Sequence, residues 1–162
     1  MMRRSFWFIG IALLLLGFAA CSDDKDDKSL ADELAGTYTG TIDVYSVTPE
    51  GGQWEQIGDQ LTNQKIYMTA TGKDALRLEL KNFMFSGITI ASIKVDTKVS
   101  TDGKNTITGQ ADNIQVMPGI TASADVTGTI IDKKADLQIH VTAPLVPNSD
   151  PIQMLVKFMG TK

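Results

Sequence analysis

Leu76-Arg77-Leu78-Glu79-Leu80-Lys81 sends three leucines one way and three charges the other. That two-residue period is the mark of a strand with one face on a core and one in water. The same rule runs through Tyr38-Thr39-Gly40-Thr41-Ile42-Asp43-Val44, Ala122-Ser123-Ala124-Asp125-Val126-Thr127 and Asp136-Leu137-Gln138-Ile139-His140-Val141-Thr142. Turn residues separate these runs at short intervals: Pro49-Glu50-Gly51-Gly52, Thr71-Gly72-Lys73-Asp74, Ser86-Gly87, Thr101-Asp102-Gly103-Lys104-Asn105 and Asp132-Lys133-Lys134. Short links make neighbouring strands antiparallel. About eight strands are expected, near residues 36–48, 63–71, 74–83, 88–99, 105–112, 121–131, 134–143 and 152–160, with a further short one in 53–60 around Trp54. No helical stripe follows residue 28 beyond a brief turn at Ser29–Leu34. The pattern is all-β, a barrel or a sandwich, and closure into a barrel would remove exposed edges.

Ahead of the strands stands a leader. Arg3 and Arg4 precede an apolar stretch from Phe6 to Ala20, 15 residues long, which ends before Asp23, Asp24, Asp26 and Asp27. A spanning helix needs about 20 apolar residues, so a cleaved signal over residues 1–20 is expected. Phe18-Ala19-Ala20-Cys21 resembles the lipobox of bacterial lipoproteins, with Phe18 where leucine is usual. That resemblance implies a diacylglyceryl thioether on Cys21, removal of the leader and acylation (palmitate) of the new amino terminus. Each buried methylene contributes about 0.8 kcal/mol, so several acyl chains hold the protein on a membrane without any spanning helix. Cys21 is the sole cysteine, which excludes a disulfide framework.

Residues 21–33 are expected to be the lipidated cysteine and an acidic, flexible tether, since Ser22-Asp23-Asp24-Lys25-Asp26-Asp27-Lys28 has no apolar residue to bury. Fully extended, nine residues reach about 30 Å. Ser22-Asp23-Asp24 resembles the export signal that carries lipoproteins to the outer face of the outer membrane in Bacteroidetes. The resemblance implies surface display, with the periplasmic leaflet as the alternative. Residues 34–162 then form one domain.

Within that domain, Leu34-Ala35-Gly36-Thr37-Tyr38-Thr39-Gly40, Gly87-Ile88-Thr89-Ile90 with Ile93-Lys94-Val95, Val126-Thr127-Gly128-Thr129-Ile130 and Val156-Lys157-Phe158-Met159-Gly160 resemble the calycin-like barrel lipoproteins of Bacteroidetes. The resemblance covers Leu34 to Lys162. It implies an eight-stranded, antiparallel, lipocalin-like up-and-down barrel and carries no agreed activity. Gly36-Thr37-Tyr38 is similar to the Gly-x-Trp opening of lipocalins, with tyrosine as the aromatic and Lys157 in place of the closing arginine.

Catalytic material is sparse. Of 15 basic side chains two are in the leader, so the remainder carries 13 against 19 acids, a net charge of −6 that excludes a nucleic-acid surface. One histidine, His140, rules out a His-rich metal site, and a lipidated Cys21 rules out a Cys/His pair. His140 shares its side of the strand with Asp136, Gln138 and Thr142; it is at the surface if Leu137, Ile139 and Val141 fill the core, or in the lumen if the barrel is hydrated. Asp43, Glu50, Glu55, Asp59, Asp74 and Glu79 are scattered over turns and wet faces. The Asp102-Gly103-Lys104-Asn105 turn lacks the repeated acids of a calcium loop. No cofactor, metal or enzymatic activity is expected.

Soft and aromatic residues carry the binding expectation. Met68, Met84, Phe83, Met154 and Phe158 are candidates to line a cavity for a small hydrophobic ligand, since methionine adapts its shape. The competing expectation is a barrel filled by those same side chains. Trp54, with Tyr45 across the first hairpin, is a candidate platform for a glycan or a protein partner. The chain therefore reads as a lipid-anchored, non-enzymatic binding module of the cell envelope. The alternative is a structural or interaction subunit of an outer-membrane surface complex, with a filled barrel and no ligand.

Overall fold

A computed structural model describes residues 28–47, 52–85, 88–101, 103–144 and 149–162. The leader 1–20, Cys21 with its lipidation, Ser22–Asp27 and the turn residues Pro49, Glu50, Gly51, Ser86, Gly87 and Asp102 lie outside the described residues. A short helix α1 (Leu30–Leu34) precedes nine strands: β1 (Gly36–Val47), β2 (Trp54–Gln56), β3 (Leu61–Gly72), β4 (Ala75–Phe85), β5 (Ile88–Ser100), β6 (Thr106–Met117), β7 (Ile120–Ile131), β8 (Lys134–Pro144) and β9 (Pro151–Thr161). From β3 onward each strand pairs with the next, β1 pairs with β3, and β1 also pairs with β9, so eight strands close into an antiparallel barrel. The ninth, β2, is the short strand around Trp54. It takes the edge of β1 at Tyr45–Val47, beyond Ile42, where β3 has left it.

Alternation decides what fills the barrel. Tyr38, Ile42 and Val44 of β1, Leu76, Leu78 and Leu80 of β4, Leu137, Ile139 and Val141 of β8, and Val156 and Phe158 of β9 all belong to one buried cluster. Among the described residues Thr97 is the buried polar side chain of this interior, and its hydroxyl donates to the Leu76 carbonyl at 2.9 Å. That bond removes the cost of an unpaired buried hydroxyl.

Three asparagines shift the alternation. Asn63, Asn82 and Asn113 have left-handed backbones, with φ of 56°, 50° and 56°. Asparagine enters this region more readily than other non-glycine residues because its short side chain bonds locally. At Asn113 the register shows three steps on β6 (Ala111 to Ile114) against two on β7 (Ala124 to Ala122), a β-bulge. Asn63 does the same against β1. On β4 the inward series Leu76, Leu78, Leu80 resumes at Phe83, one residue out of phase. Phe83 therefore turns inward, 4% exposed, and Met84 turns outward, 60% exposed. The expectation that Met84 lines the interior is corrected by this one-residue slip.

The start of the domain also differs from expectation. Residues 29–33 are ordered against the barrel instead of belonging to a flexible tether. Ser29 caps α1 in a capping box with Asp32, and Ala31 and Leu34 are buried in the barrel core. A five-residue helix is not stable alone, so its order comes from docking. Three bonds dock it: the Ala31 amide donates to the Lys73 carbonyl at 3.2 Å, the Tyr38 hydroxyl to the Leu34 carbonyl at 2.9 Å, and Lys162 Nζ to the Glu33 carbonyl at 2.9 Å. The helix thus covers the barrel end where β1 begins and β9 finishes. The lysine that closes this end is Lys162; Lys157 lies on the outside of β9, its Nζ 4.8 Å from the centre of the Tyr45 ring.

Two outcomes test these causes. Asn82→Val forces a β-branched residue into the left-handed region and should cost about 1–2 kcal/mol in urea unfolding, whereas Asn82→Gly should not. Tyr38→Phe should cost about 1 kcal/mol at neutral pH through the lost helix bond. Burial raises the Tyr38 pKa above its ordinary 10.0, so the folded chain holds this proton longer than the unfolded one. Its contribution is present below pH 10 and is lost as pH rises through the folded pKa, and Tyr38→Phe should remove that alkaline loss.

Candidate functional site

The lumen is packed by the residues that were candidates to line a cavity. Met68, Phe83 and Phe158 are 3%, 4% and 0% exposed, and Met154 is half-buried against the same cluster. The space left among Ile66, Leu80, Phe83, Val126, Ile139 and their neighbours is about 30 Å³. A ligand pocket takes roughly 300–1,000 Å³, so this space is smaller by a factor of about ten. The described interior therefore follows the filled-barrel expectation in geometry.

A far larger concavity lies on the outside of the barrel, about 590 Å³. Strand register builds it. Thr39, Thr161, Lys134 and Ile131 stand in one row across β1, β9, β8 and β7, and Met159, Asp136 and Thr129 stand in the next. Between the rows run Gly40, Gly160, Ala135 and Ile130, where Ala135 and Ile130 point inward and the two glycines have no side chain at all. The floor is therefore backbone. A Cβ at Gly40 would overlap the Met159 carbonyl and hold β1 off β9, and one at Gly160 would overlap the buried Phe158 ring two residues back on its own strand. Met159 and Ile131, 62% and 45% exposed, give the trough its apolar ground, and Thr39, Thr129, Thr161, Asp132, Lys134 and Asp136 supply hydroxyls and charges.

Beyond Met159 the same outer face continues toward β2. Asp43, Lys157 and Gln138 form a third row, and Tyr45, Leu155 and His140 a fourth. Asp43 accepts amide bonds from Gln56 at 3.3 Å and from Gln60 at 2.9 Å. Leu155 occupies an outward position yet is 5% exposed. Beside it stands His140, which the Trp54 indole from β2 meets edge-on with ring centroids 5.7 Å apart. Trp54 itself stays 37% exposed. His140 is on the outer surface, as the aliphatic-core alternative required.

Acidic groups on the far side of the barrel have structural partners. Arg77 binds Asp96 in two bonds, 2.7 and 3.0 Å, and holds its carboxyl below the usual range. For Glu79 desolvation pushes the pKa up, but bonds from Ser92, Lys81 and Lys94 outweigh it and leave the carboxyl below its ordinary value. Among the described residues no group of three or more His, Cys, Asp and Glu is placed to hold a metal ion.

Of the six candidates, then, the structure gathers Met68, Phe83, Met154 and Phe158 in the lumen and leaves Met84 and Trp54 outside, on different faces. The trough residues were missed, although Met159 and Ile131 carry a signal: each is a large apolar side chain at a wet-face position of its strand. Met68→Ala should cost about 2–5 kcal/mol in chemical unfolding. Met84→Ala should stay within about 0.5 kcal/mol, and equal losses at the two sites would contradict the phase slip.

Comparison with known proteins follows the same architecture. The calycin-like β-barrel domain matches residues 34–161. No curated protein matches the chain. Among solved structures, one described as a "putative outer membrane protein" from Bacteroides fragilis is similar at 19% identity and a TM-score of 0.58, over 83% of this chain and 53% of that one. The chain thus spans about half the length of that protein. A protein of unknown function from Bacteroides ovatus (15% identity, TM-score 0.45, 79% and 41% covered) and an auxiliary nutrient binding protein from Bacteroides thetaiotaomicron (12%, 0.35, 79% and 45%) are more distant. With a closed antiparallel barrel and a family match over nearly the whole described domain, the chain belongs to the calycin-like β-barrel family.

Proposed function

We propose that the protein is a lipid-anchored, non-enzymatic binding protein of the outer membrane, held through Cys21 and facing the cell exterior, that works through the outside of its barrel. One observation carries the choice of surface: the lumen leaves about 30 Å³ while the outer trough offers about 590 Å³. A site of the second size suits a small molecule or a glycan segment, and the first suits at most a single water. The lipobox-like Phe18-Ala19-Ala20-Cys21 supports the anchor, and Ser22-Asp23-Asp24 supports the exterior leaflet. The fold shared with the Bacteroides fragilis protein described as a "putative outer membrane protein" is in keeping with an envelope location.

The second reading, a structural subunit with no ligand, shares the filled barrel and differs at the outer face. What favours binding is the cost of that face: Met159 and Ile131 remain in water, where an apolar side chain gains nothing for the fold. Native mass spectrometry of protein extracted from its own cells tests the proposal. The expected mass is that of the acylated chain without any lumenal lipid. A stoichiometric apolar ligand that survives purification, and is lost on Met68→Trp, would overturn it.

A further inference from the structure

We infer that the outer face of β1, β9, β8 and β7, from the Thr39–Ile131 row to Trp54, is a binding site for a neutral oligosaccharide. The inference rests on the protein working through its outer face and names the ligand class for that face.

The chemistry of a sugar chain sets the requirement. A pyranose has flat C–H surfaces that need an apolar or aromatic ground, and hydroxyls around its edge that both donate and accept. The trough has Met159 and Ile131 as ground, with three threonine hydroxyls that donate and accept, Asp132 and Asp136 as acceptors and Lys134 as a donor. Trp54 adds a part-exposed indole at the far end of the same face, braced against His140 so that its position is fixed before any ligand arrives. Between them Asp43 is held by Gln56 and Gln60, and Lys157 by Tyr45. Polar groups held in place by neighbours bind with less ordering cost.

Charge and size exclude the rival ligands. One lysine against two aspartates gives the trough no excess of positive charge, which is wrong for a phosphate, a sulfate or an acidic polysaccharide. The trough is open to solvent and rimmed by three threonines, two aspartates and a lysine, which is wrong for an acyl chain. Four strands span about 14 Å and four rows of outward side chains about 20 Å. That area, about 280 Å², falls well short of the roughly 800 Å² each partner contributes to a stable protein interface. The face is the shape of a short run of sugar units.

Full-length protein in detergent, run in native affinity gels cast with α-mannan, xylan, β-glucan or starch, tests the site. Retardation in at least one gel is expected. Trp54→Ala and Asp136→Ala, at opposite ends of the face, should each weaken it at least about tenfold, a difference of about 1.4 kcal/mol. Lys98→Ala, on β5 across the barrel, should run as the parent does. Asp136→Ala keeps the test valid if loss of Trp54 disturbs the hairpin, because Asp136 is exposed and remote from β2. Absence of retardation in every gel, or retardation indifferent to both variants, overturns the inference. A photo-crosslinking residue in place of Met159 then separates the two failures. Crosslinking in cells to one envelope protein refutes the sugar while the outer-face function stands, and a lipid recovered from the lumen refutes both.

Discussion

The ladder between β1 and β9, running in register from Thr39↔Thr161 to Ser46↔Met154, is the constraint on which the rest of this protein depends. A sheet left open there would expose two strand edges and one apolar face. Closing it satisfies both edges at once and turns every inward side chain toward every other. Eight strands give a barrel just wide enough for its own side chains. Large residues such as Tyr38, Phe83 and Phe158 then leave no room for a guest. Closure therefore leaves only about 30 Å³ in the lumen, which is why the proposed site lies on the outer surface.

Closure also shapes that surface. Where β1 meets β9, Gly40 faces Gly160, and the strands come close enough that a Cβ on either would collide with its neighbours. Between two rows of outward residues the inward positions Gly40, Gly160, Ala135 and Ile130 show only backbone to the outside, and that backbone is the floor of the trough. At the other end of the face, β2 adds a separate device: a three-residue strand that delivers one indole against His140. The proposed site combines a feature fixed by the barrel with one contributed by an inserted hairpin.

Strand existence and order were legible in the sequence, because Leu76-Arg77-Leu78-Glu79-Leu80-Lys81 and its relatives alternate without ambiguity and their turns are short. The Asn82 slip was not, since periodicity alone continues through it; only the presence of asparagine in a strand hints at a left-handed residue. Residues 29–33 fell within the expected tether, the turn at Ser29–Leu34 notwithstanding, because a single turn has no stability of its own and its docking partners Lys73 and Lys162 are far along the chain. The trough was invisible for a related reason. Its first row joins Thr39 to Thr161, and no local pattern encodes a pairing that barrel closure creates.

The methionines place reporters on both sides of the wall: Met68 and Met154 inward, Met159 in the trough. Methyl NMR of these residues, during titration of the full-length protein with the polysaccharide and lipid fractions of its own cell envelope, tests directly whether the barrel acts from outside. The expected result is a saturable shift of the Met159 methyl and the Trp54 indole signal with the polysaccharide fraction, with Met68 and Met154 unmoved. A saturable shift of Met68 and Met154 with the lipid fraction, and none at Met159, would contradict the filled barrel and the outward-facing site together.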